Sequence, residues 1–242
     1  MEILGHLPGM VGPNLAVNQV ISIPPEPLEH IAHNGSKVSI PPPTAHIGRA
    51  PVEVRLLSIV RREGMVTNTL LTVTFGGSLA VGLKIGEGKE KRATTHRPSP
   101  VLIIHCHGGG FVAQSSRSHE VYLREWASHL KVPILSVDYS LAPQAPFPRA
   151  LEEVLYAYCW AINNCQILGS TAEKILLVGD SAGANLNVGV TMKCIELGLR
   201  IPDGLFLAYV PVLVSFVPSP SRLLCFMDPL LPFGFMMRCL KG

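Results

Sequence analysis

Apolar and polar positions change their rhythm near Pro100. Beyond it, short apolar runs alternate with stretches of helical spacing. Residues 101–106 are an apolar run of the length expected for a strand buried on both faces of a parallel sheet. Residues 118–130 place Val121, Leu123, Trp126, Ala127 and Leu130 at helical spacing. Residues 132–137 predict a second buried strand, and 148–165 a second helix opened by Pro148, where a missing N–H does no harm. A third strand is predicted at 174–178, a third helix at 182–197 and a fourth strand at 205–210. Strands alternating with helices in this way predict an α/β fold with a parallel sheet.

Ahead of Pro100 the pattern is weaker. Residues 1–51 are rich in proline, with Pro24-Pro25, Pro27 and Pro41-Pro42-Pro43. They are expected to form an irregular lead-in, not a domain, and residues 52–242 the folded body. Residues 52–62 alternate as a first strand does, and 70–75 with 79–85 predict a second strand or a hairpin bent at Gly76-Gly77. Residues 87–97, with Lys89, Glu90, Lys91 and Arg92, read as a solvated loop. No internal repeat is visible.

Composition narrows the function classes. Hydrophobic residues make up 48% of the 242 and charged residues 15%, and the net charge is only +3. A charge that small argues against a nucleic-acid partner. Residues 1–10 have neither a basic region nor a long apolar core, so a signal peptide is not expected. The longest nearly apolar stretch, 70–85, is broken by Gly76, Gly77, Ser78 and Gly82 and falls short of the ~20 residues of a membrane span. The six cysteines sit mostly in apolar runs without a C-x-x-C and are expected to be buried free thiols. Asn34-Gly35-Ser36 fits a glycosylation sequon, which a chain that is not secreted would never present. His105 and His107 form an H-x-H pair with no third ligand near, so no metal is expected, and no cofactor is implied.

The chemistry concentrates in two glycine-rich stretches. Gly179-Asp180-Ser181-Ala182-Gly183 lies between a predicted strand and a predicted helix. In that context a G-x-S-x-G pentapeptide sets a serine on a sharp turn with its hydroxyl at the edge of the sheet. Gly179 and Gly183 are expected where the turn leaves no room for side chains. The helix N-terminus would favour negative charge there. Taken alone, the alternative for Ser181 is an ordinary serine capping a helix after a glycine turn. Upstream, His107-Gly108-Gly109-Gly110 follows the first predicted parallel strand. A loop there can lend backbone N–H groups to an oxyanion, with Gly109, Gly110 and Ala182 as the candidate donors and His107 bracing the glycines. The alternatives are a flexible loop or a phosphate cradle, but Ala113 breaks a G-x-G-x-x-G fingerprint. Asp180 neighbours the nucleophile and is expected to point along the turn, not at a base.

His107-Gly108-Gly109-Gly110-Phe111, Asp138-Tyr139-Ser140-Leu141-Ala142-Pro143 and Gly179–Gly183 together resemble the hormone-sensitive lipase family of α/β-hydrolases. Residues 109–120, 145–153, 219–224 and 227–232 resemble it too, and the likeness weakens between 66 and 97. It implies an α/β-hydrolase fold and hydrolysis of acylglycerols, cholesteryl esters and similar lipid esters. It also implies a cytosolic setting, peripheral to the lipid-droplet or membrane surface. Ala184 stands where the family usually has a further glycine, and its methyl is expected to strain the turn slightly.

The family's triad runs serine, acid, histidine, whereas all nine histidines here precede Ser181. The chain is therefore expected to carry a nucleophile and oxyanion hole without the acid and general base. Asp203 and Asp228 read as loop residues, not as substitutes. Three readings stay open: a lipid-ester hydrolase seen in part; a non-catalytic product that binds lipid or a full-length partner; and a peptidase or acyltransferase with the same nucleophile. A sheet ending after 205–210, followed by the apolar stretch 212–240, further predicts an uncovered edge and self-association.

Overall fold

The structure, a computed structural model, describes residues 12–65, 95–213, 219–229 and 233–241. Its strands are β1 (Val17–Ile23), β2 (Leu28–Ile31), β3 (Lys37–Ile40), β4 (Val52–Ser58), β5 (Ser99–Cys106), β6 (Ile134–Asp138), β7 (Ser170–Asp180) and β8 (Gly204–Ala208). The helices are α1 (Glu120–Leu130), α2 (Arg149–Asn163) and α3 (Ser181–Leu197), with two short ones in the tail, α4 (Pro220–Leu224) and α5 (Phe233–Lys241). One six-stranded sheet has the order β1-β4-β6-β5-β7-β8, and β2 with β3 forms a separate pair. Strands β6, β5, β7 and β8 run parallel; β4 and β1 are antiparallel to their neighbours.

The α/β architecture expected from the apolar rhythm is the one observed. Alternate residues of the central strands face opposite ways. Leu102, Ile104 and Leu177 meet Val154, Ala157, Leu186 and Val190 of α2 and α3. On the other face Ile103, Ile134 and Val178 meet Leu123 and Ala127 of α1.

The expectation of irregular structure ahead of residue 52 is corrected. Val17–Ile23 pairs with β4 along its whole length, from Val17 opposite Ser58 to Ile23 opposite Val52. Pro24, Pro25 and Pro27 fall in the turn after the strand, where a missing N–H removes no ladder bond. β7 begins at Ser170, before the expected residue 174, because pairing with β5 resumes beyond a register shift between Ser99 and Val101. The strands expected within 70–85 lie outside the described residues.

Two polar clusters fix the elements around the site. Glu120, buried at the start of α1, accepts from Asn18 Nδ2 at 2.9 Å and Arg124 Nε at 2.9 Å, and pairs with Arg55 at 3.4 Å. It thereby ties α1 to β1 and β4. Arg149, wholly buried at the start of α2, donates to Glu153 Oε1 at 2.6 Å and to Gly48 O at 2.7 Å. Glu153 in turn accepts the Ser140 amide and hydroxyl, at 2.5 and 2.8 Å. The loop after β6 and the stretch near residue 48 are thus anchored on one helix end. Among the described residues no helix is long and apolar enough to cross a membrane.

Candidate active site

β7 ends at Asp180 and α3 begins at Ser181, with no residue between them. Ser181 takes φ +50°, a conformation that L residues adopt at a cost. Its neighbours explain how the turn closes. A Cβ on Gly183 would stand 2.0 Å from Cys106 O and 2.5 Å from His107 O. A Cβ on Gly179 would stand 2.7 Å from Cys106 O. Both glycines therefore let the turn lie directly on the end of β5, and Ala182 is buried against it.

Asp180 does not cap α3 with its side chain. Its carboxylate instead accepts the Gly108 N–H at 3.1 Å, the Tyr122 hydroxyl at 3.2 Å and the Tyr209 hydroxyl at 3.1 Å, and faces His119 Nε2 at 3.2 Å. Burial alone would raise its pKa, but the hydrogen bond and charge of His119 and the bond from Tyr209 outweigh it and bring it to about 2. The group is a carboxylate at neutral pH. A Cβ on Gly108 would meet it at 2.2 Å, so only glycine fits there.

The glycine stretch turns sharply. Gly109 and Gly110 have φ +116° and +63°, and Phe111 follows at +65°. Val112 and Ala113 donate their N–H groups back to Gly109 O, at 3.2 and 3.1 Å. Phe111 O accepts from Ala142 N–H at 2.8 Å, and the Ser116 N–H reaches Asp138 at 2.6 Å, so the loop leans on the segment after β6. From the tail, Cys239 Sγ lies 2.8 Å from where a Gly110 Cβ would be, which sets α5 against this loop.

His107 sits beneath it. Its Nδ1 donates to Gly108 O at 2.8 Å, its carbonyl accepts the Tyr139 hydroxyl at 2.7 Å, and its ring stacks on Tyr139 at 4.1 Å. Burial, with a small contribution from His119, lowers its pKa to about 4 against the raising effect of the Gly108 bond. Neutral and occupied, it serves the loop's geometry.

The structure thus brings together Gly108 and Asp180, and sets Gly179 and Gly183 against Cys106 and His107. Three residues near the site, His119, Tyr122 and Tyr209, carry no motif signal in the sequence, because they lie at the start of α1 and after β8, outside both glycine stretches. Ala184 is fully buried within α3. His105 is not a metal ligand in waiting: its nitrogens meet Ser136 Oγ at 2.7 Å and the Tyr122 hydroxyl at 2.8 Å.

A family model described as the alpha/beta hydrolase fold matches residues 103–232, more than half of the chain. The chain belongs to the α/β-hydrolase family. A second model, described as the hormone-sensitive lipase N-terminus, matches residues 1–66 of this hydrolase chain. It is 47% identical to the hormone-sensitive lipase of Mus musculus and 46% identical to that of Homo sapiens, in both cases along its whole length. It spans 31% of the mouse protein and 22% of the human one. Among solved structures, the esterase of the archaeon Pyrobaculum calidifontis superposes with a TM-score of 0.68 at 22% identity, covering 100% of this chain and 61% of that one. The thermostable carboxylesterase EstE1, from a metagenomic library, gives 0.69 at 21%, covering 100% and 63%. At such identities these two likenesses speak for the fold.

Proposed function

We propose that this chain forms the nucleophile-bearing part of a serine carboxylic ester hydrolase acting on neutral lipid esters, acylglycerols and cholesteryl esters, in lipid catabolism. One observation carries the reading: Ser181, held at φ +50° between β7 and α3, and the Gly108–Gly110 loop are joined through the hydrogen bond from Gly108 to Asp180. In this reading Ser181 Oγ attacks the ester carbonyl carbon, and the Gly109, Gly110 and Ala182 N–H groups receive the oxyanion. A general base supplied from beyond these residues would take the Ser181 hydroxyl proton during the attack and give it to the departing alcohol, then take a proton from the water that releases the acid from the acyl-serine and return it to Ser181. The likeness to hormone-sensitive lipases supports a lipid-ester substrate class; a cytosolic setting, peripheral at lipid droplets or membranes, is part of the same proposal.

A fluorophosphonate probe tests the nucleophile. In a form extended past Gly242 that carries the general base, the expected result is covalent label on Ser181 that disappears in Ser181→Ala; label persisting in that variant rejects the assignment.

A second reading follows from the nine histidines, all of which precede Ser181. In a triad ordered serine, acid, histidine, none of them is the base. We therefore expect the 242-residue chain alone to turn over p-nitrophenyl butyrate little or not at all, because serine without its base is a weak nucleophile. A lipid- or partner-binding role would then remain. Robust turnover that vanishes in Ser181→Ala would remove this second reading.

A further inference from the structure

A line of polar groups, buried at Ser136 and His105 and half-buried at Tyr122, ends on the residue beside Ser181. The Tyr122 hydroxyl lies 3.2 Å from Asp180 Oδ1 and 2.8 Å from His105 Nε2, and His105 Nδ1 lies 2.7 Å from Ser136 Oγ. A carboxylate can only accept. Tyr122 therefore gives its one proton to Asp180 and accepts from His105 Nε2–H. That leaves His105 Nδ1 bare to accept the Ser136 hydroxyl proton. The direction of every proton is fixed from β6 through β5 and α1 to Asp180. Burial holds fully buried His105 well below the ordinary histidine range, which fits a ring with a single proton. His119, one turn before Tyr122, reaches the same carboxylate at 3.2 Å through Nε2, which also lies 3.3 Å from the Gly108 N–H, while its Nδ1 lies 3.2 Å from Ser115 O and 3.1 Å from Ser118 Oγ.

The geometry points to His105, Tyr122 and His119 as positioning residues that aim the Asp180 carboxylate, and through it (for His119 also directly, at 3.3 Å) the Gly108 N–H, so that the glycine loop keeps one direction. The inference rests on the reading of Gly109 and Gly110 as oxyanion donors. Glycines at positive φ restrain themselves little, so the direction of their N–H groups has to be imposed from outside the loop. Asp180 imposes it at Gly108, and Asp180 is itself held by donors from α1 and from Tyr209 beyond β8. Aligned hydrogen bonds polarise one another in a dry interior. The line is thus a scaffold for the electrostatics of the oxyanion site.

Tyr122→Phe deletes one oxygen and keeps the ring beside Trp126. His119→Gln keeps a polar group without the imidazole. Hydrogen exchange on the 242-residue chain, read on peptides spanning 107–114, should run about tenfold faster in either variant, with the 149–163 peptide unchanged. In the wild type, 15N NMR of His105 should show Nε2 protonated and Nδ1 bare. Unchanged exchange at 107–114 in both variants overturns the proposal. So does an equal rise at 149–163, which would mark a merely structural role, or a His105 proton found on Nδ1. Should both variants fail to fold, the wild-type tautomer decides. In a form extended to carry the general base, phosphonylation of Ser181 should also slow about tenfold in each variant. If a form extended to carry the general base is not labelled at Ser181 at all, the hydrolase reading fails, while the exchange and tautomer measurements on the 242-residue chain still decide the positioning claim.

Discussion

The sheet's two edges are finished in different ways. Along β1, Asn18 is exposed on the outer side yet bonded to both Arg55 and Glu120, so polar side chains stitch the edge strand to β4 and α1. Along β8, Leu205 and Phe206 are 42% and 55% exposed, and beyond it Tyr209 and Val212 are 77% and 75% exposed. An apolar edge of that kind attracts other chains. The comparison teaches that a strand's outer face is settled by what reaches it from the next layer. Asn18 has Glu120 waiting on a helix, whereas Phe206 has Trp126 on one side, 5.6 Å away in a T-shaped contact, and stays half open.

Four measurements can break or sharpen that contrast. The largest effect is expected from Glu120→Ala, which strands Arg55 and Arg124 in a mostly buried place and should cost about 3–5 kcal/mol in denaturant unfolding. Glu196→Ala, which breaks an exposed pair with Lys193, should cost less than about 1 kcal/mol. Equal losses would show that the β1 edge is not held by its polar network.

Next comes acid, which acts at the centre that both edges share. His107 falls from 6.5 to about 4 on folding, so its stabilisation is complete above pH 6.5 and is lost as pH falls from 6.5 towards 4, at a cost of about 3 kcal/mol. Asp180, lowered from 3.8 to about 2, adds a contribution present above its unfolded value and lost as pH falls further. Stability that is flat between pH 7 and 4 would contradict the burial of His107.

Gly110→Ala should cost about 1–3 kcal/mol, from positive φ and from contact with Cys239. Combining it with Cys239→Ala should recover part of the loss; no recovery would mean that α5 does not rest on the loop in solution.

The smallest change in stability, within about 0.5 kcal/mol, is expected for Val212→Ser on the open side. Light scattering should nevertheless show less self-association than in the unaltered chain. A loss above about 2 kcal/mol would mean that this side is covered.

Much of the architecture could be read in the sequence, and the parts that could not have physical reasons. Buried parallel strands such as Ile103–Cys106 announce themselves because both faces are apolar, and Gly183 announces the turn because only a missing side chain permits 2.0 Å from Cys106 O. β1 was hidden among prolines, since its partner β4 is distant in sequence and its polar outer residues resemble a loop. The Asp180 cluster was hidden for another reason. Gly108 stands in the glycine motif, but His119, Tyr122 and Tyr209 are individually ordinary residues, and only the crossing of β5, α1, β7 and β8 makes them neighbours.

The hydrogen bond between Gly108 and Asp180 joins positions 72 residues apart. A sequence drifting under mutation therefore does not have two motifs to vary separately. A side chain at 108 would strike the Asp180 carboxylate, and a longer residue at 180 would push the amide it holds, so tolerated change at either position has to be paired with change at the other. Comparing many such sequences should find these two sites altering together or not at all, as one unit of inheritance spread over two distant stretches of the chain.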